Sequence, residues 1–328
     1  MSYVMKSVFS ADIERFLAYK HAQGYKYESG EWALRNFDTF CDTRNISQNV
    51  LTRDIAEQWS GKRDGEHHKV HQKRMASLRQ LALFLENEGR QVYVLPYLSA
   101  AAYSTEDFTP YIFSKAELTA IFRAVDERLD HNNATVRMSE IMPVMFRVMY
   151  GCGLRVSEAC SLRKQDVDTV NGILTVLKSK NDTDRLVPTS PSLTERLRFY
   201  MGKMEYICPN MIYAFPNRSG GQLVRATVYS RFRDALFEAG ISHGGRGSGP
   251  RLHDLRHTFA VHSLEKMAAS GMDLYCALPV LSTYLGHNEV TSTEKYLRLT
   301  QEVHGAVLKQ VADAYGEIAP DFGRGTDK

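Results

Sequence analysis

Cysteine is scarce in this chain and poorly placed for chemistry. Cys41, Cys152, Cys160, Cys208 and Cys276 are odd in number, scattered, and form no C-x-x-C pair. That distribution argues against a disulfide framework and against a structural zinc site, and leaves small buried thiols as the reading. Long apolar runs are missing too: the most apolar stretch, Ile141 to Leu154, is broken by Arg147 and falls short of the roughly 18 residues a membrane span needs. Asp12, Glu14 and Arg15 interrupt the N-terminus before a secretion-signal core can form, so a cytosolic address is expected. Neither charge sign dominates, since 41 Lys plus Arg stand against 38 Asp plus Glu, a formal net charge of +3. Global charge therefore does not indicate a nucleic-acid partner, and only local clustering could. Gly244 to Gly249 lacks the Lys-Ser/Thr ending of a P-loop and reads as a mobile connection, and no Gly-x-Ser-x-Gly elbow occurs.

What is present is a globular composition: 328 residues, 43% hydrophobic and 24% charged, which suggests two domains and excludes low-complexity and wholly disordered classes. The first part reads as helices. Ile13, Phe16, Leu17 and Lys20 recur on nearby turns up to Gly24, and Trp32, Leu34, Phe37 and Phe40 form a second stripe before Arg44. A short helix is predicted over Thr52 to Gly61, and a longer one over His68 to Gly89 with Val70, Met75, Leu78, Leu81 and Leu85 inward. The opposite face of that last helix carries Lys69, Lys73, Arg74 and Arg79, which could be a solvated face or a surface that meets DNA phosphates.

Residues 97–110 turn small and irregular and read as a linker between a helical domain, 1–96, and a second domain, 111–328. Ser114 and Glu117 supply a capping box at the start of the second domain. Helices are predicted over Met138 to Tyr150 and Leu154 to Leu162. A small antiparallel meander follows, with strands at Asp168 to Val170, Ile173 to Leu177 and Arg185 to Val187 and a two-residue Asn171-Gly172 turn. Helical patterns resume near Leu193 to Met204, Thr227 to Ala239, Leu252 to Ala269 and Leu274 to Leu285. The fold class is mainly α with a small antiparallel β-sheet.

Four clusters in the second domain place a cation or nucleophile at a punctuated position. Arg155 sits at a helix start, Lys178 and Lys180 on the meander's loop, His253 and Arg256 three apart on one helical face, and His287 shortly before Tyr296. Each has an ordinary structural alternative. Arg155 could pair with Glu158, the lysines could be solvated, His287 could cap a helix, and Tyr296 could be a core residue. Together they supply two guanidiniums, an ammonium, two imidazoles and a phenol, with no acidic pair for a metal, an inventory suited to a phosphodiester without magnesium. Arg155 and Arg256 would hold the nonbridging oxygens, His253 would serve as base for Tyr296, and Lys180 would protonate the departing 5′ oxygen. A zinc reading of His253, His257 and His262 lacks an intervening Glu and would set Arg256 beside the metal.

The segments Tyr150-Gly-Cys-Gly-Leu-Arg155-Val-Ser-Glu158, Lys180-Asn-Asp-Thr-Asp-Arg185-Leu-Val-Pro188, His253-Asp-Leu-Arg256-His-Thr-Phe259 and Leu285-Gly-His287, with Tyr296 nine residues after that His, resemble the tyrosine site-specific recombinases, or phage integrases. The resemblance covers most of the second domain. It implies a helical core-binding domain and a mixed α/β catalytic domain with a C-terminal helix, clamping double-stranded DNA between them. It implies Tyr296 as nucleophile, Arg155, Lys180, His253 and Arg256 as its catalytic partners, and His287 as a phosphate-binding and packing residue. A 3′-phosphotyrosyl bond, no ATP and no metal or other cofactor, a homotetramer on DNA working through a Holliday junction, and a nucleoid-associated setting are likewise implied. An accessory protein controlling direction is a possible further partner. A noncatalytic DNA-binding protein and a type IB topoisomerase are the competing readings.

Overall fold

The computed structural model describes residues 4–97, 109–128, 136–177, 184–245, 249–286 and 291–297. Contacts divide the chain into two compact units, Met1–Phe108 and Thr109–Lys328. Most of the predicted linker, and residues 246–248 of the Gly-rich connection, lie outside the described residues.

The first unit contains α1 (Ser10–Ala22), α2 (Glu28–Thr43), α3 (Arg53–Ser60) and α4 (His68–Asn87). Apolar residues three and four apart share one helical face, and those faces close a single core from Ile13, Phe16, Leu34, Phe37, Trp59, Leu78, Leu81 and Leu85. The carboxylate of Asp38 on α2 accepts the backbone N–H groups of Lys6 and Ser7 at 3.0 and 2.9 Å, anchoring the chain that enters α1. Thr52 begins α3 by accepting Ile55 N–H at 3.3 Å. Two expected core residues lie outside this core: Trp32 is 55% and Val70 43% exposed. On α2 the buried stripe runs through Gly30, Ala33, Leu34, Phe37 and Cys41, which leaves Trp32 off its edge.

The second unit begins with α5 (Lys115–Glu127), whose Ser114–Glu117 capping box is formed in both directions. It continues with α6 (Val136–Gly151) and α7 (Val156–Ser161), then β1 (Val167–Asp168), β2 (Ile173–Val176) and β3 (Arg185–Pro188). The helices α8 (Pro191–Ile207), α9 (Arg225–Glu238), α10 (Asp254–Ala269), α11 (Leu274–Leu285) and α12 (Thr291–Glu294) complete it. The strands form one antiparallel sheet in the order β1-β2-β3, pairing Asp168 with Ile173 and Val176 with Arg185. The expected two-residue turn is instead a four-residue connection, 169–172. Its cause is Asp168, whose Oδ1 accepts the N–H groups of both Val170 and Asn171 at 2.9 Å and ends β1 before Val170.

Two cores fill the unit. One joins Phe113, Ile121, Phe146, Leu154, Leu174, Val187, Phe215, Phe232 and Leu255. The other lies between α10 and α11, where Val261, Leu264, Leu278, Leu281 and Leu285 enclose Tyr296. Thr258 of α10 accepts the Phe113 N–H at 3.0 Å and so fixes the start of the unit to the helix that carries His253 and Arg256.

Candidate active site

The site is organised around the turn between α6 and α7. Gly153 has φ +60, and a Cβ added there would lie 2.6 Å from Phe259 and 2.8 Å from Leu285, so both conformation and space require glycine. The turn delivers Arg155 to the N-cap of α7. Glu158, one turn on, accepts the Arg155 N–H at 2.9 Å and its Nη1 at 2.8 Å. The pairing of Arg155 with Glu158, offered by the sequence as an alternative to a site role, is therefore real, and it also aims the guanidinium.

Glu158 holds a second cation that sequence reasoning passed over. Arg185, the first residue of β3, donates Nη1 and Nη2 to the two oxygens of Glu158 at 3.0 and 2.9 Å, and its Nε to the carbonyl of Tyr284 at 3.1 Å. One side chain thus fastens the strand to α7 and to the end of α11. Burial alone would raise the Glu158 carboxyl, but hydrogen bonds and charge from Arg185, the Arg155 N–H and nearby Arg256 hold it down to about 2.

Arg256, in the first turn of α10, is 1% exposed. Its Nη1 donates to Gly153 O at 2.6 Å and its Nη2 to Leu285 O at 2.7 Å, and the guanidinium lies 3.8 Å from Glu158. Main-chain carbonyls on two elements therefore set its plane. Burial and the charge of Arg155 lower its pKa to about 10, which leaves it a cation at neutral pH. Arg155, Arg185 and Arg256 against Glu158 leave the cluster with an excess of positive charge, the condition for holding an anion.

His253 is the N-cap residue of α10. Burial, then Arg256, Arg155 and Arg251, push its pKa down to about 4, so its imidazole is neutral at neutral pH. Tyr296 follows α12 and is 4% exposed. Burial raises its phenol, while the charges of Arg256 and Arg155 oppose that rise. Its hydroxyl is 2.9 Å from Nδ1 of His257, so the imidazole bonded to the phenol is one turn further along α10 than the His253 expected from sequence. The rings of His253 and His257 meet edge to face with centroids 4.7 Å apart, so His257 contacts both His253 and Tyr296. His262, the third histidine of the zinc reading, lies 3.0 Å from the hydroxyl of Tyr150 through Nδ1.

The charges of Arg155 and Arg256 thus act on both His253 and Tyr296. Lys178, Lys180 and His287 lie outside the described residues. On α4, Lys69 and Lys73 are exposed beside a surface hollow of about 440 Å³ that Arg79 and Tyr97 also line. Arg79 donates to Leu95 O. Arg74 is a correction to the expected DNA-facing set. It is 1% exposed, donates to the carbonyls of Trp59 and Gly61, and makes a two-pronged pair with Glu66 at 2.9 Å. Its charge is spent inside the first unit.

A model of the phage integrase family matches residues 113–302. A putative integrase/recombinase, y4rB of Sinorhizobium fredii, is 24% identical over 312 residues, covering 93% of this chain and 97% of its own length. The tyrosine recombinase XerC of Chlorobaculum parvum is 28% identical over 244 residues, covering 70% of this chain and 68% of its own. Among solved structures, the XerH site-specific recombinase bound to palindromic difH substrate, a post-cleavage complex, matches with a TM-score of 0.64 at 20% identity over 88% of this chain and 79% of that one. A lambda integrase(75-356) dimer bound to a COC′ core site matches with a TM-score of 0.58 at 19% identity, over 87% of this chain and 94% of that one. At these identities the two structures establish a shared fold.

Proposed function

The chain belongs to the phage integrase family, and from that membership and the surroundings of Tyr296 we propose that it is a site-specific DNA recombinase that cuts and rejoins strands through a phosphotyrosyl intermediate. The observation that supports this reading is a buried phenol, Tyr296, under the charge of two guanidiniums, Arg155 and Arg256, that Glu158 and main-chain carbonyls hold in place. A phosphodiester under attack gathers negative charge on its nonbridging oxygens, and planar, preoriented guanidiniums bind those oxygens through charged hydrogen bonds. Each such bond contributes on the order of 1.5 to 3 kcal/mol. Because carbonyls and Glu158 already orient the two cations, little reorganisation accompanies the reaction.

In this mechanism Tyr296 Oη attacks phosphorus, the bond to the 5′ oxygen breaks, and a 3′-phosphotyrosyl linkage and a 5′ hydroxyl result. Attack by a 5′ hydroxyl from the partner duplex reverses the step and joins the strands. The phosphodiester energy is retained in the tyrosyl ester, so no nucleotide is consumed. Neutral His253 donates a hydrogen bond to the phosphate, Lys180 protonates the leaving oxygen, and His287 adds a phosphate contact. Four protomers on two duplexes would exchange strands in pairs through a Holliday junction. Movement of a mobile element, or resolution of DNA dimers, would follow from the same chemistry, with direction set by an accessory protein. The first unit contributes duplex binding through Lys69, Lys73 and Arg79.

The test uses the DNA flanking the gene, first footprinted and then supplied as two labelled duplexes in EDTA. Recombinant strands together with a covalent protein–DNA adduct are expected. Binding without an adduct would replace the proposal with a noncatalytic DNA-binding protein, and relaxation of supercoiled DNA without exchange would replace it with a topoisomerase activity.

A further inference from the structure

The nucleophile's hydroxyl does not meet the histidine at the start of α10. It meets His257, with Nδ1 and Oη 2.9 Å apart and ring centroids at 5.6 Å. A phenol with an ordinary pKa of about 10 is protonated at neutral pH, so its proton must leave as the bond to phosphorus forms. Burial of Tyr296 makes that loss harder. His253 is poorly suited to receive the proton, because burial and three arginines disfavour its charged form. His257 lies one helical turn further along, its ring edge to face with that of His253, and its Nδ1 touches the hydroxyl itself.

We propose that His257 is a catalytic residue of the cleavage step, holding the Tyr296 hydroxyl and accepting its proton as Oη attacks. The proposal rests on the reading of Tyr296 as nucleophile. The Oη–H bond breaks and its proton passes to Nδ1 of His257; the Oη–P bond forms; the P–O5′ bond breaks; and the 5′ oxygen takes a proton from the general acid, for which Lys180 is the candidate. In rejoining, the same proton returns from His257 to Oη as the tyrosyl ester opens. The two imidazoles of α10 thereby divide the work, His253 serving the phosphate as a neutral donor and His257 serving the nucleophile as base.

Among the charged and titratable groups near the pair, the His253 ring meets that of His257 edge to face, and the charges of Arg256 and Arg155 act on Tyr296. The experiment compares the full-length protein with His257→Asn and His257→Phe in single-turnover cleavage of a nicked suicide substrate across pH. Asn can keep a hydrogen bond near the Nδ1 position but takes up no proton, and Phe keeps the ring but neither function. Thermal melting and DNA binding are measured alongside, and His257→Asn preserves the test if His257→Phe does not fold. Both variants are expected to cleave about 10²-fold more slowly or worse at neutral pH, the usual contribution of a general base, with the deficit shrinking as pH rises toward the phenol's own range. Asn cleaving at the wild-type rate while Phe is slow would reduce His257 to a hydrogen-bond support and overturn proton acceptance. Normal cleavage by both would remove His257 from the step. Tyr296→Phe, run in parallel, separates the two readings: cleavage by that variant defeats the nucleophile assignment, whereas its inactivity beside active His257 variants defeats the present proposal alone.

Discussion

Glu158 is the only carboxylate bonded to both Arg155 and Arg185 among the described residues, and its charge state sets theirs in place. Its folded-state pKa of about 2 lies below the ordinary carboxylate value, so the unfolded chain binds this proton more readily. The stabilisation is complete above pH of about 4.5 and is lost as pH falls through about 2. Glu158→Gln should therefore flatten the acid side of the stability curve in that window, measured by urea denaturation at several pH values. An unchanged acid slope would contradict the pairing. At neutral pH the same substitution leaves cations without their partner and is expected to cost about 3 kcal/mol or more. A second residue-scale contrast lies in the first unit, where Arg74 is enclosed by Glu66, Trp59 and Gly61 while Lys69 and Lys73 are exposed. Arg74→Ala should destabilise the unit by about 3–5 kcal/mol. The double variant Lys69→Ala, Lys73→Ala should leave stability nearly unchanged but lower the slope of log binding constant against log salt by about 2. An unchanged slope would make that face merely solvated.

At the scale of elements, β3 does more than complete a sheet. Arg185 ties it to α7 through Glu158 and to α11 through the Tyr284 carbonyl, while the Tyr284 hydroxyl donates back to Pro188 O at 2.8 Å. Arg185→Lys keeps the charge but not the two-pronged, planar contact. Cleavage by this variant is expected to fall by about 10- to 100-fold, as small misplacements of reacting groups do, with DNA binding by gel shift within about twofold of the parent. Parent-like cleavage would show that the strand is positioned without this arginine. Why the sequence did not reveal Arg185 is physical: alternation marks it as a strand residue, but its partners lie 27 and 99 positions away, and periodicity carries no such information. The helices were legible because their stripes and stops are local, as with Gly24 after α1 and Ser114 before α5. The burial of Arg74 is not legible in the sequence, because a basic run looks alike whether its charge meets solvent or a glutamate eight residues back. Motif spacing singles out Arg155, Arg256, His253 and Tyr296 as candidates, whereas which imidazole meets the phenol depends on where the turn after α12 sets Tyr296, and that is not local in sequence.

For the whole molecule, the proposed reaction raises the question of whether copies of the chain are coupled through its C-terminal segment. Val303, Val307, Leu308, Val311, Tyr315 and Ile318 recur at helical spacing after Tyr296 and lie outside the described residues. A C-terminal helix docked on a neighbouring protomer would couple each Tyr296 to the next subunit. Truncation after Thr300 is then expected to retain binding to a single site and to lose cooperative pairing of sites and recombination, followed by gel shift and strand-exchange assays. A truncated chain that aggregates would indicate packing within one protomer instead, and one that recombines normally would contradict both arrangements. All of this depends on the identity of the nucleophile. The most direct measurement is to trap the protein on a nicked duplex carrying its site, digest the DNA and the protein, and locate the residual nucleotide by peptide mass spectrometry. The adduct is expected on Tyr296, formed equally in EDTA and absent in Tyr296→Phe. A nucleotide found on any other side chain, or an undiminished adduct in Tyr296→Phe, would contradict the account.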